Sequence, residues 1–325
     1  MIIRVDEKST PFLSRVPRGR TPHNTLLQWT VDKYATPTLG GVVDGTDVSS
    51  FENHAENRRV LKTHLQTHRR EVKVSPLAQN VSDVAGLGKG NEMARAKAMK
   101  LVELGRDMEA TLLSDQEHQE DDGATNAYLS RGLGIWILDT TNIASQTLYA
   151  VPADYRPAAG QIVTTATASL TESNINTVLQ SIYDQTGMNG NYVWFCGSDL
   201  RTQITDMTRF NQYGSTNSAK SARSFNYDGA GSKVTNTVSV YEGDYGTVEV
   251  VSSNFIGGSA TGAFAPDKGR GYVLDMDKID LSVHKNPTFK PLEDQGGGPR
   301  GYIESVCALR VKNPIGLGQF NTALS

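Results

Sequence analysis

One stretch of this 325-residue chain constrains its fold more than any other. Asn91 to about His118, NEMARAKAMKLVELGRDMEATLLSDQEH, has no proline and is dominated by Ala, Met, Leu, Glu, Lys and Arg, which lose least on entering a helix. Leu101, Leu104, Met108 and Leu112 recur at spacings of three and four, so one apolar stripe runs along it. Asn91 is a suitable N-cap. About 28 residues at 1.5 Å each make a rod of roughly 42 Å, long for a globular helix.

What precedes this rod is poor in core-forming residues. Up to about Asn24, Pro11, Pro17, Gly19 and Pro22 alternate with Arg15, Arg18 and Arg20, a composition that predicts an extended arm. Trp29 to Tyr34 reads as a short strand and ATPTLGGVVDGTDVSS as a turn-rich stretch. Arg58 to Ser75 ends in strand-like alternation, with Val72 and Val74 against Lys73 and Ser75. Paired with the Trp29 strand it makes a long polar hairpin, which is marginal in water without something to lean on.

After the rod the pattern changes. Leu170 to Gly187 predicts a helix capped by Thr171, with Ile175, Val178, Leu179 and Ile182 on one face and Gly187 at its end. Tyr192 to Cys196 is a buried strand, and Ser198 can cap a further helix from Asp199 to about Phe210. Asn211 to Lys233 is a polar, Gly/Ser-rich loop. Strands follow at Thr237 to Tyr241 and Thr247 to Ser252 around EGDYG, then near Gly271 to His284 and Tyr302 to Lys312. The Pro- and Gly-rich segment NPTFKPLEDQGGGPR between the last two reads as a loop.

Motifs that could carry chemistry have simpler readings. Gly86, Gly88 and Gly90 precede the rod as GxGxG, without the further glycine that a dinucleotide fingerprint needs at the position of Asn91, so a flexible hinge accounts for them better. His64 and His68 have the spacing of two ligands on a helix face, but on a strand they stand about 13 Å apart and read as a surface pair. Glu117 to Asp122 is an acidic run at the wrong end of a helix dipole, expected to fray into solvent. Asp275, Asp277 and Asp280 lack the glycine and closing glutamate of a calcium loop and are expected to face solvent. Ser198 in CGSDL is not the serine of GxSxG. The reading predicts no enzyme, no cofactor and no metal.

Charge narrows the partners. Lys+Arg at 32 against Asp+Glu at 35 gives a net charge of -3, which argues against affinity built on neutralising many phosphates. Cys196 and Cys307 form no CxxC pair, suiting a reducing compartment. The opening MIIRVDEKSTPF carries three charges in its first seven residues and no apolar run of leader length, and the densest apolar stretches are too short for a bilayer. The expectation is a soluble intracellular product with a folded core, its hydrophobic content being 38% before its 31 glycines are added.

The order arm, polar hairpin, long helix, inserted α/β unit and late strands resembles the Hong Kong 97-like major capsid fold of tailed bacteriophages. Several phrases resemble one capsid subgroup long catalogued as a domain of unknown function. They are STPFLSRVPRGR from Ser9, QWTVD with Trp29 and Asp32, VVDGTDVSS around Gly45, ELGRDMEATLL from Glu103 and RGLGIWI from Arg131. VYEGDYGTVEVVSSNF from Val240 and ESVCALRVKNPIGLG from Glu304 complete the set. Gln28 departs from the glutamate usual before that tryptophan, and the segment from Ser215 to Ser232 is longer than usual.

The resemblance implies an α+β fold with these parts: N-arm 1–24, extended E-loop hairpin 25–75, P-domain 76–130 with its spine helix at about 91–118, A-domain 131–236, late strands 237–312 with a P-domain loop at about 285–301, and a tail 313–325. It implies a shell subunit that assembles with itself into hexamers and pentamers of an icosahedral, DNA-filled virion head in the host bacterial cytoplasm. Portal, scaffolding or decoration proteins would be its partners, DNA would touch the inner surface non-specifically, and no membrane would be involved. Contacts between subunits are expected from Phe12, Arg18 and Arg20 of the arm, from Phe51, His54, Arg58 and Arg59 of the hairpin, and from Lys290, Glu293, Asp294 and Arg300. Gly86, Gly88 and Gly90 are the expected hinge for expansion of the shell. The alternatives are an encapsulin-like cellular shell or another phage structural protein, of the tail or a minor capsid component.

Overall fold

The computed structural model describes residues 9–51, 53, 55–80, 92–138, 151–207, 239–257 and 264–321. The arm is not wholly extended. Pro11–Arg15 forms a short helix, α1, with Pro at its first position, where the missing N–H costs nothing. Strands β1 (Leu26–Val31) and β2 (Arg59–His64) pair antiparallel, Trp29 opposite Leu61, and make the expected hairpin. The hairpin ends at His64. The next strand, β3 (Gln66–Lys73), turns away and pairs with a late strand instead.

After the short helix α2 (Pro76–Asn80), the spine helix α3 runs Glu92–Leu112. Its 21 residues span about 32 Å rather than 42. Leu104, Met108 and Leu112 are buried as the stripe requires, but Leu101 is 47% exposed, because burial begins only at Leu104. The helix stops early because the following backbone is drawn onto residues 130–134. Gly132 N–H donates to Gln116 O at 2.8 Å, Gly134 N–H to Ser114 O at 3.2 Å, and the Gln116 amide to Ser130 O at 2.7 Å.

The start of the acidic run is therefore held to the protein, while Glu120, Asp121 and Asp122 are exposed as expected. Glu117 pairs with the buried Arg131 at 2.7 Å, and the His118 and Arg131 contacts hold its pKa down although burial pushes it up. His118 is buried, and Asp122 closes a turn by accepting the N–H groups of Ala124, Thr125 and Asn126, which lowers its pKa to about 2. Helix α4 (Leu133–Trp136) then buries Trp136 against Trp29, ring centroids 5.5 Å apart.

The inserted unit follows the sequence closely. Strand β4 (Ile162–Val163) leads to α5 (Glu172–Thr186), where Asn174 Oδ1 accepts Thr171 N–H at one end and Gly187 takes φ +68 at the other. Strand β5 (Gly190–Cys196) and helix α6 (Ser198–Met207) come next, with Ser198 as the first helical residue rather than a cap outside it. The EGDYG hairpin is β6 (Val240–Gly243) and β7 (Gly246–Ser252). The stretch predicted as one strand from Gly271 splits at a 3-10 turn, Met276–Lys278, into β8 (Arg270–Leu274) and β9 (Ile279–Leu292). The last strands are β10 (Arg300–Val311) and β11 (Gly318–Asn321).

Two cores result. The six-stranded mixed sheet β4-β11-β8-β5-β7-β6 packs with α5 and α6 around Trp194, Ile182 and Leu200. The antiparallel sheet β3-β10-β9 packs with α3, the arm and the hairpin root around Leu104, Trp136, Cys307 and Leu309. The loop expected from Asn286 to Arg300 shrinks to 293–299, because β9 continues to Leu292. Its prolines are tolerable since β9 is an edge strand, and the register shifts opposite Ser305, where Pro287 sits in the bulge.

Three site expectations fail here. His64 and His68 are buried on different strands, and His64 stacks on His118 with centroids 5.8 Å apart, so they are no surface pair. Asp280 is buried, held by Arg310 Nε at 2.8 Å and Lys312 Nζ at 3.3 Å, because β9 and β10 place acid and base opposite each other. Phe12 lies in the subunit's own core and is lost to any neighbour. The glycines 86, 88 and 90 and the loop beyond Asn211 lie outside the described residues.

Candidate functional site

The arm is held at several points, Arg15 pairing with Glu249 at 2.8 Å among them. Glu109 of α3 is a fully buried carboxylate that accepts the N–H groups of Phe12 at 3.2 Å and Leu13 at 2.9 Å and the Ser253 hydroxyl at 3.2 Å. Burial pushes its pKa up despite those three bonds. Further on, Leu281 N–H donates to Pro17 O and Gly19 N–H to Leu281 O, both at 2.9 Å, so the arm adds a short parallel strand to β9. Gly19 is needed there, since a Cβ would meet Asp280 Oδ1 at 2.4 Å. Arg18 and Arg20 remain exposed.

Residues 32–58, between β1 and β2, show the opposite behaviour. Their described side chains stand in solvent, including Tyr34, Leu39, Val42, Val43, Val48 and Phe51, the last 89% exposed. The root of the loop is tied down by an Asp32–Arg58 ion pair at 3.6 Å, by Arg59 donating to Glu56 O at 2.7 Å, and by the Tyr155 hydroxyl donating to Asn57 O at 2.5 Å. A monomer rarely gathers so many exposed large apolar side chains in one loop unless something covers them. Covering the five largest aliphatic and Phe side chains would yield on the order of 10 kcal/mol, before the entropy lost in fixing the loop.

A second exposed feature is the turn that joins β9 to β10. Lys290, Glu293 and Asp294 face solvent and Arg300 is half-buried. Asp294 Oδ1 accepts Gly298 N–H at 3.0 Å and Arg300 Nε donates to Glu293 O at 2.8 Å, so part of this charge shapes the turn. Below it, Glu304 on β10 takes Arg69 of β3 at 2.7 Å and Lys285 of β9 at 2.6 Å, and both bases hold its pKa down.

The sheets end in ways that matter for association. The six-stranded sheet closes on β4 and β6, which are two and four residues long and offer little to a stray strand. Strand β9 instead presents a 14-residue edge, which the described part of the arm meets at Leu281 and, through Pro22 O, at His284.

The expected contact residues thus divide. Arg18, Arg20, Phe51, Arg58, Arg59, Lys290, Glu293 and Asp294 are at the surface, Phe12 is not, and His54 lies outside the described residues. Sequence reasoning missed Glu109, although its place three residues before Leu112 sets it on the buried face of α3. It also missed Tyr155 and the valines of VVDGTDV. Among the described residues no group of three or more His, Cys, Asp or Glu is placed to hold a metal ion, and no helix is long and apolar enough to cross a membrane.

The family described as SU10 major capsid protein matches residues 1–323. No curated protein matches the chain. Among solved structures, the chain is similar to the capsid of a native GTA particle at 11% identity, covering 99% of this chain and 93% of that one, with a TM-score of 0.61. It is similar to the capsid of cyanophage P-SCSP1u at 12% identity, covering 100% and 91%, TM-score 0.56. It is also similar to the SrpI encapsulin of Synechococcus elongatus at 10% identity, covering 98% and 91%, TM-score 0.53. At such identities these three report the shared Hong Kong 97-like fold.

Proposed function

Since the chain belongs to the SU10 major capsid protein family, a family of structural capsid proteins, we propose that it builds a closed icosahedral phage head from hexamers and pentamers around double-stranded DNA. The observation that carries this is the loop 32–58, whose apolar side chains have no cover within the subunit. Heterologous contacts that close give rings, and each ring multiplies a modest contact. The exposed ion pairs are worth about 0 to 1 kcal/mol apiece, so the shell draws its stability from repetition.

On this reading the hairpin 26–64 is the E-loop, α3 the spine of the P-domain and the six-stranded sheet the A-domain. Arg18, Arg20, Phe51, His54, Arg58, Arg59, Lys290, Glu293, Asp294 and Arg300 meet neighbouring subunits, and Gly86, Gly88 and Gly90 supply the hinge before the spine. The protein is no enzyme, needs no cofactor, assembles in the host cytoplasm and meets portal, scaffolding or decoration proteins there.

Sedimentation of the purified chain tests the reading. Closed particles support it, and a persistent monomer with saturable binding of a small ligand overturns it. Particles that carry protein cargo instead of DNA favour an encapsulin-like shell.

A further inference from the structure

Four of the six histidines meet at one corner of the fold, where the chain leaves the hairpin and enters the three-stranded sheet. His64, the last residue of β2, lies buried with its ring stacked on His118, centroids 5.8 Å apart and planes 24° from parallel. Tyr128 meets the same ring at 5.5 Å. Tyr128 also lines a cavity of about 320 Å³ whose wall includes His23 of the arm and His284 of β9.

This corner is also a joint. His118 and Tyr128 belong to the segment 114–131 that follows α3, and that segment grips the hairpin root through polar bonds. Arg131 N–H donates to Thr63 Oγ1 at 3.1 Å, and Gln66 Oε1 accepts Ser130 N–H at 3.1 Å and the Gln116 amide at 2.6 Å. Leu65 alone separates β2 from β3.

The charges facing the joint depend on those rings. Glu117 meets both His118 Nδ1 and the buried Arg131 guanidinium. Glu120 acts on His64 from the same segment, and Lys62 stands on His64's face of β2, two residues before it. On the sheet side, burial pushes the Cys307 thiol up to about 12 and lowers His68 to about 4, so neither changes charge near neutrality. With the four histidines neutral, Arg131 and Lys62 match Glu117 and Glu120. With them charged, positive charge is added where the facing acids are already matched. Two like charges 5.8 Å apart inside a protein repel far more than in water.

We propose that the joint is an acid-sensitive latch, in which protonation of the stacked histidines parts the hairpin root from residues 114–131 and frees β1 and β2 to swing about Leu65. The sign follows from His64. Burial and the charge of His118 push its pKa down, Glu120 opposing, so the neutral ring's contribution is full above about pH 6.5 and is lost as pH falls. The latch does not depend on the shell-building reading, since every group in it belongs to one subunit.

Hydrogen exchange, read by mass spectrometry on dissociated full-length subunits, tests it. Between about pH 7.5 and about pH 5.5, protection of β1 and β2, corrected for intrinsic exchange, should fall about tenfold or more while that of β5, β7 and β8 holds. In His64→Phe, which keeps a ring against Tyr128 and His118 but takes no proton, hairpin protection should be the same at both pH values. His64→Gln carries the same expectation and serves if the Phe variant does not fold. His68 is present in every variant, so its own titration cancels. Unchanged hairpin protection in the wild type overturns the latch, as does an equal fall in the His64 variants. A fall shared by the six-stranded sheet would be general acid unfolding and overturns it too.

Discussion

Phe12→Ala and Phe51→Ala delete the same ring from the same chain and should have opposite effects. Phe12 is 0% exposed, and its ring meets Phe195 edge to face at 5.4 Å and 82°. Truncating a ring in such a place costs about 3 to 5 kcal/mol, of which the aromatic pair supplies about 0.5 to 1.5. Phe51, 89% exposed, contacts little in its own subunit. Its loss should change subunit stability by about 0.5 kcal/mol or less, yet forfeit about 1.5 to 3 kcal/mol at each copy's contact with a neighbour.

Two assays separate these effects. Urea unfolding of dissociated subunits, with a slope of about 3 kcal/mol per molar, should place the Phe12→Ala midpoint about 1 M below wild type and leave Phe51→Ala in place. Sedimentation should then find Phe51→Ala as small folded species under conditions where the wild type forms particles. An unchanged midpoint for Phe12→Ala would refute its place in the core. A comparable drop for Phe51→Ala would refute the claim that the loop is uncovered within the subunit.

Gly19→Ala should loosen the arm, because the new methyl meets Asp280 within 2.4 Å, and limited proteolysis should then cut before residue 24 while the remainder stays folded. His68 is buried with its pKa lowered to about 4, burial being the chief cause, so its contribution is full above about pH 6.5 and is lost as pH falls toward 4. About 3 kcal/mol is at stake, and the fall in unfolding free energy between pH 7 and 5 should flatten in His68→Gln. Cys196 and Cys307 are buried with thiol pKa values pushed up to about 12 by that burial, so a thiol reagent at pH 8 should label neither in native subunits and both in urea.

Local patterns spoke clearly where one element explains itself. The stripe Leu104, Met108 and Leu112 located α3, and Thr171 with Gly187 bounded α5, because caps and periodicity act within a few residues. Pairings across long separations were not legible. Nothing near Asp280 announces Arg310, nothing near Glu117 announces Arg131, and nothing in the arm announces Glu109. Asp280 and Glu117 looked solvated in sequence, and each is held by a partner that the fold delivers.

The strand through Pro287 was misread for a related reason, since proline excludes a central strand but not an edge. Among contact residues, the arm misled because Phe12 shares a segment with Arg18 and Arg20 yet faces inward. The loop's valines passed unnoticed because isolated apolar residues in a turn-rich stretch carry no periodic signal.

A cryo-electron microscopy reconstruction of particles formed by the purified chain tests the central claim most directly. The account predicts a closed icosahedral shell in which residues 32–58 of each subunit lie buried on a neighbour, with α3 and the two sheets unchanged. A shell in which that loop remains in solvent, or a chain that stays monomeric at high concentration, would contradict it.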